Sequence, residues 1–163
     1  MLTEEDKKAL KLQGEHFFIE AECFFVRAFE RPTYLFNQRG RAAGTAHLQR
    51  NLIKINPILF INNKEEFFQQ VIPHEVAHLI TFQLYGNVRP HGKEWQSVMV
   101  AVFQRPALTT HQLDINDVIG KQFHYRCACT THTLTIRRHN KVLKGNHYKC
   151  KLCQSLLTFE AEN

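Results

Sequence analysis

Apolar positions in the first thirty residues recur near helical spacing: Leu10, Phe17, Ala21, Phe24, Phe25 and Ala28. Thr3 and Asp6 supply a capping signal ahead of them, and Arg31-Pro32 supplies a stop. Cys23 falls among the apolar positions and is expected to be a buried core thiol. The period then changes. Thr33–Phe36, Gly44–Leu48 and Leu52–Asn56 read as three short strands, with Asn37–Gly40 as a turn and Gln49-Arg50-Asn51 between the last two. From Phe67 to Leu84 the helical period returns, with a start expected at Asn63 and a left-handed C-cap at Gly86-Asn87. Pro73 lies inside this helix and predicts a kink. A third helix is expected over Lys93–Gln104, and Leu108–Asn116 reads as an unpatterned connector. Helix, antiparallel strands, then two helices predict an α+β fold with a small antiparallel sheet packed on helices.

The helix from Phe67 to Leu84 carries His74-Glu75-Val76-Ala77-His78. Residues i and i+4 share a helix face, so the two imidazoles can hold one Zn²⁺. A glutamate between them is placed to act as general base on water. The plain alternative is two surface histidines on an amphipathic helix. Val71, Ile72, Val76, Leu79, Ile80 and Phe82 oppose it, because they make the helix a buried one. A buried polar group without a partner costs about 1–3 kcal/mol.

Catalytic zinc takes three protein ligands and keeps one position open. His91, in the loop Val88–Lys93, is the expected third ligand, with Trp95 packing beside it. Glu94 is the competing ligand. Tyr85 is a candidate for stabilising an oxyanion.

The C-terminal quarter has a second cluster. Cys127-Ala-Cys129 is followed by Cys150-Lys-Leu-Cys153. Two cysteine pairs predict a structural zinc in a ribbon-type module, although C-x-C is one residue tighter than the usual spacing. His132 can replace Cys127 or Cys129 as a ligand. A segment of about forty residues buries too little apolar surface to fold without such a staple. The expected division is therefore 1–117 for the helix-and-sheet core and 118–163 for the ribbon. Thr133–Arg137 alternates as a strand does, which places Arg137–Lys141 on a hairpin.

Charge separates the two parts. Of the 21 Lys and Arg, eight lie between Val118 and Phe159, where there is no Asp or Glu, leaving 13 basic against 15 acidic residues elsewhere. The net charge of +6 thus belongs to the C-terminal part. Such a run is either a solvated face or an attraction for a polyanion. Arg126, Arg137, Arg138, Lys141, Lys144, Lys149 and Lys151, interleaved with Tyr125 and Tyr148, are the candidate DNA or RNA contacts. No apolar run reaches the ~20 residues of a membrane span. The charged N-terminus lacks the pattern of a signal peptide, so a cytoplasmic protein with reduced cysteines is expected.

His74-Glu75-x-x-His78, His91-Gly92-x-x-Trp95 and the C-terminal cysteines together resemble the SprT family of zinc metalloproteases over about Phe17–Phe159. The resemblance implies a zincin-like core, with His74, His78 and His91 as zinc ligands and Glu75 as the catalytic glutamate. It also implies a protein substrate. The family's eukaryotic relative Spartan is a DNA-dependent protease that degrades proteins crosslinked to DNA. The competing reading is a nucleic-acid-binding ribbon protein whose histidine metal is structural or regulatory. Glu75 separates the two, since only hydrolysis requires an acid between the histidines.

Overall fold

In the computed structural model, which describes residues 1–160, the chain forms two compact units, Met1–Val118 and Ile119–Asn163. Residues 161–163, assigned from sequence to the C-terminal module, lie outside the described residues.

In the first unit, α1 (Glu4–Phe25) begins with the expected capping box. Asp6 donates its backbone N–H to Thr3 Oγ1, and Thr3 donates its own to Asp6 Oδ2, both at 3.1 Å. The buried face is Leu10, Gly14, Phe17, Phe18 and Ala21. The helix ends earlier than Arg31-Pro32 predicts, because Val26 turns left-handed with φ 51°. The chain then doubles back, and Arg31 clamps Glu15 and Glu22 on α1 at 2.8 and 2.6 Å. Cys23, Phe24 and Ala28 are exposed, contrary to the expected core. At about 100° per residue Cys23 lies well round the helix from Leu10 and Phe17, whereas Phe24 shares their face but sits in the last turn and Ala28 lies beyond the helix end.

Strands β1 (Thr33–Leu35), β2 (Gly44–His47) and β3 (Leu52–Ile55) pair in the order β1-β3-β2. Only β2 is antiparallel to β3; β1 runs parallel to it, so the sheet is mixed rather than antiparallel. The loop from β1 to β2 must therefore cross the end of β3. Asn56, fully buried, holds it there by donating Nδ2 to the carbonyls of Gly40 and Ala42. The same side chain caps α2 (Pro57–Asn62). β2 is left as an edge strand, and it packs on the histidine helix.

That helix is a continuous rod: α3 (Lys64–Glu66), a π turn (Phe67–Val71) and α4 (Ile72–Tyr85). The π turn absorbs Pro73. In an i→i−5 register the donor that proline lacks would meet the Phe68 carbonyl, and Gln13 Nε2 from α1 reaches that oxygen instead, at 3.4 Å. Asn63 does not cap the rod as expected. Its side chain bonds the backbone of Asp114 in both directions, at 2.9 and 3.0 Å. Gly86 closes α4 with φ 70°. The helix expected over Lys93–Gln104 is α5 (Lys93–Ser97) followed by a π turn (Val98–Val102). Phe17, Ile53, Ile55, Phe60, Ile72, Val76 and Trp95 form the common core under these elements.

The second unit has a sheet ordered β5-β4-β6, made of β4 (Gln122–Arg126), β5 (Thr131–Thr135) and β6 (Thr158–Phe159). After β5 the chain forms a helix, α6 (Ile136–Leu143), where a hairpin arm was expected. The turn of the helix buries His139, which stacks on Phe123 and lies 2.9 Å from the Tyr125 hydroxyl through Nδ1. A strand would alternate Arg138 and Asn140 with His139 but could not pack its ring there while freeing Arg137, Arg138 and Lys141 to solvent.

Candidate metal centre

His74 and His78 project from one face of α4 and meet His91, which arrives from the loop after Gly86. The three Nε2 atoms converge, with separations of 3.2, 3.1 and 3.0 Å. Each ring is held from behind. His74 Nδ1 donates to the Leu108 carbonyl at 3.2 Å, so its proton sits there and the Nε2 lone pair faces the other two rings. Trp95, 1% exposed, lies against all three imidazoles and donates its indole N–H to the His74 carbonyl at 3.3 Å. His91 has a left-handed backbone with φ 56°, and Gln96 Nε2 bonds its carbonyl at 3.0 Å. Gly92 is required next to it. A Cβ there would stand 2.9 Å from the Arg89 carbonyl oxygen.

Burial, and secondarily the neighbouring imidazoles, lowers His74 to about 4 and His78 to about 3. Burial lowers His91 also. All three are therefore neutral near pH 7, with lone pairs available. Three converging nitrogens of which His74 Nε2 can only accept are a poor arrangement unless a cation lies between them. Tetrahedral zinc with Zn–N of about 2.0–2.1 Å requires N···N separations of about 3.3 Å, close to those found. The donor set fits zinc. Glu94 is not in the cluster. His91→Ala is expected to release one zinc per chain and Glu94→Ala none, as measured by metal analysis after dialysis against a weak chelator. Loss of zinc in Glu94→Ala alone reassigns the ligand.

Glu75 lines a cleft of about 180 Å³, bounded by Ala42–Gly44 at the start of β2, by Gln70 and His74 of the rod, and by Leu108–His111. It is 7% exposed, and burial raises its carboxyl to about 8, against a hydrogen bond from the Ala46 backbone that lowers it. Gly44 leaves room for it. A Cβ at Gly44 would lie 2.9 Å from Glu75 Oε1. Tyr85 is half exposed near the far end of α4 and does not line this cleft. Leu108 and His111 do line it, and sequence reasoning missed both. Their segment has no periodic pattern, and one more histidine among ten carries no signal.

The second unit gathers Cys127, Cys129, Cys150 and Cys153 with all four sulfurs within 4.8 Å of one another. The tight C-x-C spacing is accommodated because Cys127 Sγ accepts the Thr130 N–H at 3.3 Å, folding the turn round the sulfur. His132 Nε2 lies 3.2 Å from the same sulfur and acts as its neighbour, while the four cysteines alone complete the cluster. For Cys127, burial acts upwards, but hydrogen bonds from the Cys129 backbone, His132 and the Thr130 backbone prevail and bring it down to about 5. Hydrogen bonds among the thiols push Cys129 up to about 12, and Ser155 brings Cys153 down to about 7. Four sulfurs this close cannot all be thiolates without a cation, so this donor set also fits zinc.

Comparison with known proteins agrees with this division. Residues 14–113 match the SprT-like family, and residues 121–160 match the SprT-like zinc ribbon domain. The chain belongs to the SprT-like family. Protein SprT of Vibrio parahaemolyticus is 56% identical over 140 residues, covering 85% of each chain. Protein SprT of Shewanella oneidensis is 51% identical over 145 residues, 88% of this chain and 93% of the relative. Protein SprT of Vibrio atlanticus is 51% identical over 158 residues, 96% and 95%. A comparison with solved structures finds no match. Among the described residues, no helix is long and apolar enough to cross a membrane.

The expected nucleic-acid residues divide. Arg137, Arg138 and Lys141 are exposed on α6, and Lys144, Lys149 and Lys151 are exposed after it. Arg126 is exposed and ion-paired with Glu160 at 2.6 Å, and Tyr125 is fully buried. Tyr148 remains half-buried beneath Arg138, 6.0 Å from its guanidinium.

Proposed function

We propose that the first unit is a zincin-like peptidase that uses zinc held by His74, His78 and His91. The observation that carries this is the buried Glu75 carboxyl, which lines one cleft together with His74 of the converged set and with Gly44 at the start of the edge strand β2. A purely structural metal site has no use for an acid exposed to a cleft. The edge of β2 can take an extended peptide by strand addition, which presents one backbone carbonyl at a time. Zinc bound there supplies Lewis acidity, polarising that carbonyl and acidifying water. Glu75 takes one proton from the attacking water as the C–O bond forms, and returns it to the leaving nitrogen as the C–N bond breaks. The carboxylate this requires is favoured by any cation at the imidazoles, which offsets the upward push of burial. Incubating the zinc-loaded chain with an unfolded protein is expected to give new N-termini, detected by mass spectrometry, and a chelator is expected to stop it. Intact substrate under saturating zinc removes the reading.

The second unit, on this proposal, holds the chain on nucleic acid through Arg137, Arg138 and Lys141 of α6 with the lysines that follow. Each phosphate contact released by salt lowers log K by about 0.7–0.9 per log unit of salt. Arg137→Ala with Arg138→Ala is expected to weaken binding to single-stranded DNA and flatten that slope. Hydrolysis of a short free peptide stays unchanged. A wild-type chain that binds no DNA or RNA at low salt returns these side chains to a solvated face.

A further inference from the structure

We propose that His111 is a catalytic residue of this cleft, donating a hydrogen bond to the substrate carbonyl oxygen as negative charge develops on it. The proposal rests on the peptidase reading and adds the group that reading lacks. His111 lines the same cleft as His74 and Glu75. Its Nδ1 is buried and has no hydrogen-bond partner. Among the described residues lining the cleft, no other side chain has a buried polar atom left in that condition. An unpaired buried polar atom is destabilising to the free protein, and beside a cleft a bound ligand is one group that can complete it.

The segment carrying His111 is fixed on both sides. Three residues before it, the Leu108 carbonyl accepts from His74 Nδ1; three residues after, Asp114 exchanges two hydrogen bonds with Asn63. The backbone on either side of His111 is thus anchored to the same rod that carries the ligands. A donor held in this way needs no reorganisation as charge develops, which is the condition for large oxyanion stabilisation. Thr109 and Thr110 are exposed on the same segment.

The test uses the zinc-loaded full chain, with His111→Phe to remove the donor and His111→Gln to retain one. Three quantities are read: zinc affinity by chelator competition, kcat and KM on an extended peptide, and calorimetric affinity for a phosphonamidate peptide. The last has a tetrahedral anionic oxygen in place of the carbonyl. His111→Phe is expected to keep zinc affinity and KM, and to lose about 10²–10³-fold in both kcat and phosphonamidate affinity. His111→Gln recovers part of each. Unchanged phosphonamidate affinity in His111→Phe overturns the proposal, and if wild type still cleaves, the peptidase reading stands without it. A wild type that binds the phosphonamidate through His111 but cleaves no peptide sinks the peptidase reading while retaining His111 as an oxyanion donor. A wild type that does not bind the phosphonamidate, or a His111→Phe chain with weakened zinc binding, also overturns the proposal, the latter by making His111 a support for the metal site.

Discussion

Glu75→Gln is expected to lower peptide hydrolysis by about 10²–10⁴-fold with zinc content unchanged, since a general base is removed and no ligand is touched. Gln fills the space of Glu beside Gly44, so the cleft is preserved. Zinc analysis and initial rates on one preparation test this. Activity retained at wild-type level excludes Glu75 as the base.

The same substitution separates burial from catalysis through pH. In the metal-free chain, burial raises the Glu75 carboxyl from 4.5 to about 8. A group raised in the folded state contributes its full stability below the unfolded value and loses it as pH climbs through the folded value. Metal-free wild type should therefore lose stability relative to Glu75→Gln between about pH 4.5 and 8, by about 1.4 kcal/mol per pH unit, and level off above. His74 and His78 titrate in both proteins and drop out of the difference. Thermal melts in chelator at pH 5 and pH 8 measure it, and parallel shifts of the two proteins contradict it.

Cys150→Ser is expected to remove one zinc per chain and unfold the second unit, leaving the first intact. Structural zinc contributes about 10–16 kcal/mol to modules of this kind. The buried side chains here are few, chiefly Tyr125, Leu134 and His139 besides two of the cysteines, so the fold has little else to hold it. Hydrogen exchange followed by mass spectrometry should show protection lost over β4, β5 and α6 and kept over α4. Protection retained in both units means the cysteine cluster is not a folding staple. Native chain should carry close to two zinc, one exchangeable and one not.

Local chemistry made part of this protein legible. His74 and His78 share a face because the helical period puts i and i+4 together, whatever surrounds them. The Thr3–Asp6 capping box spans one helical turn and forms as its spacing predicts. The four cysteines meet because paired soft ligands in a small module have few other uses.

What depended on distant partners was hidden. Nothing in Thr33–Leu35 specifies that it pairs parallel with β3, because strand direction is set by the loop that Asn56 pins, more than twenty residues later. Thr133–Arg137 alternates as a strand does, but the strand ends at Thr135, and the helix that starts at Ile136 packs His139 against Phe123. Asn63 reads as a cap, but its side chain is engaged by Asp114. The pairing of exposed Arg126 with Glu160 is likewise invisible in the sequence. His111 becomes part of the site only because the connector is tied to Asn63 and His74, which brings it to the cleft lined by His74 and Glu75, 37 and 36 residues earlier in the chain. The sequence by itself determined the ligand types and the helix that presents two of them. Tertiary structure decided which remaining side chains reach the cleft, since that depends on distances between segments that no local period encodes.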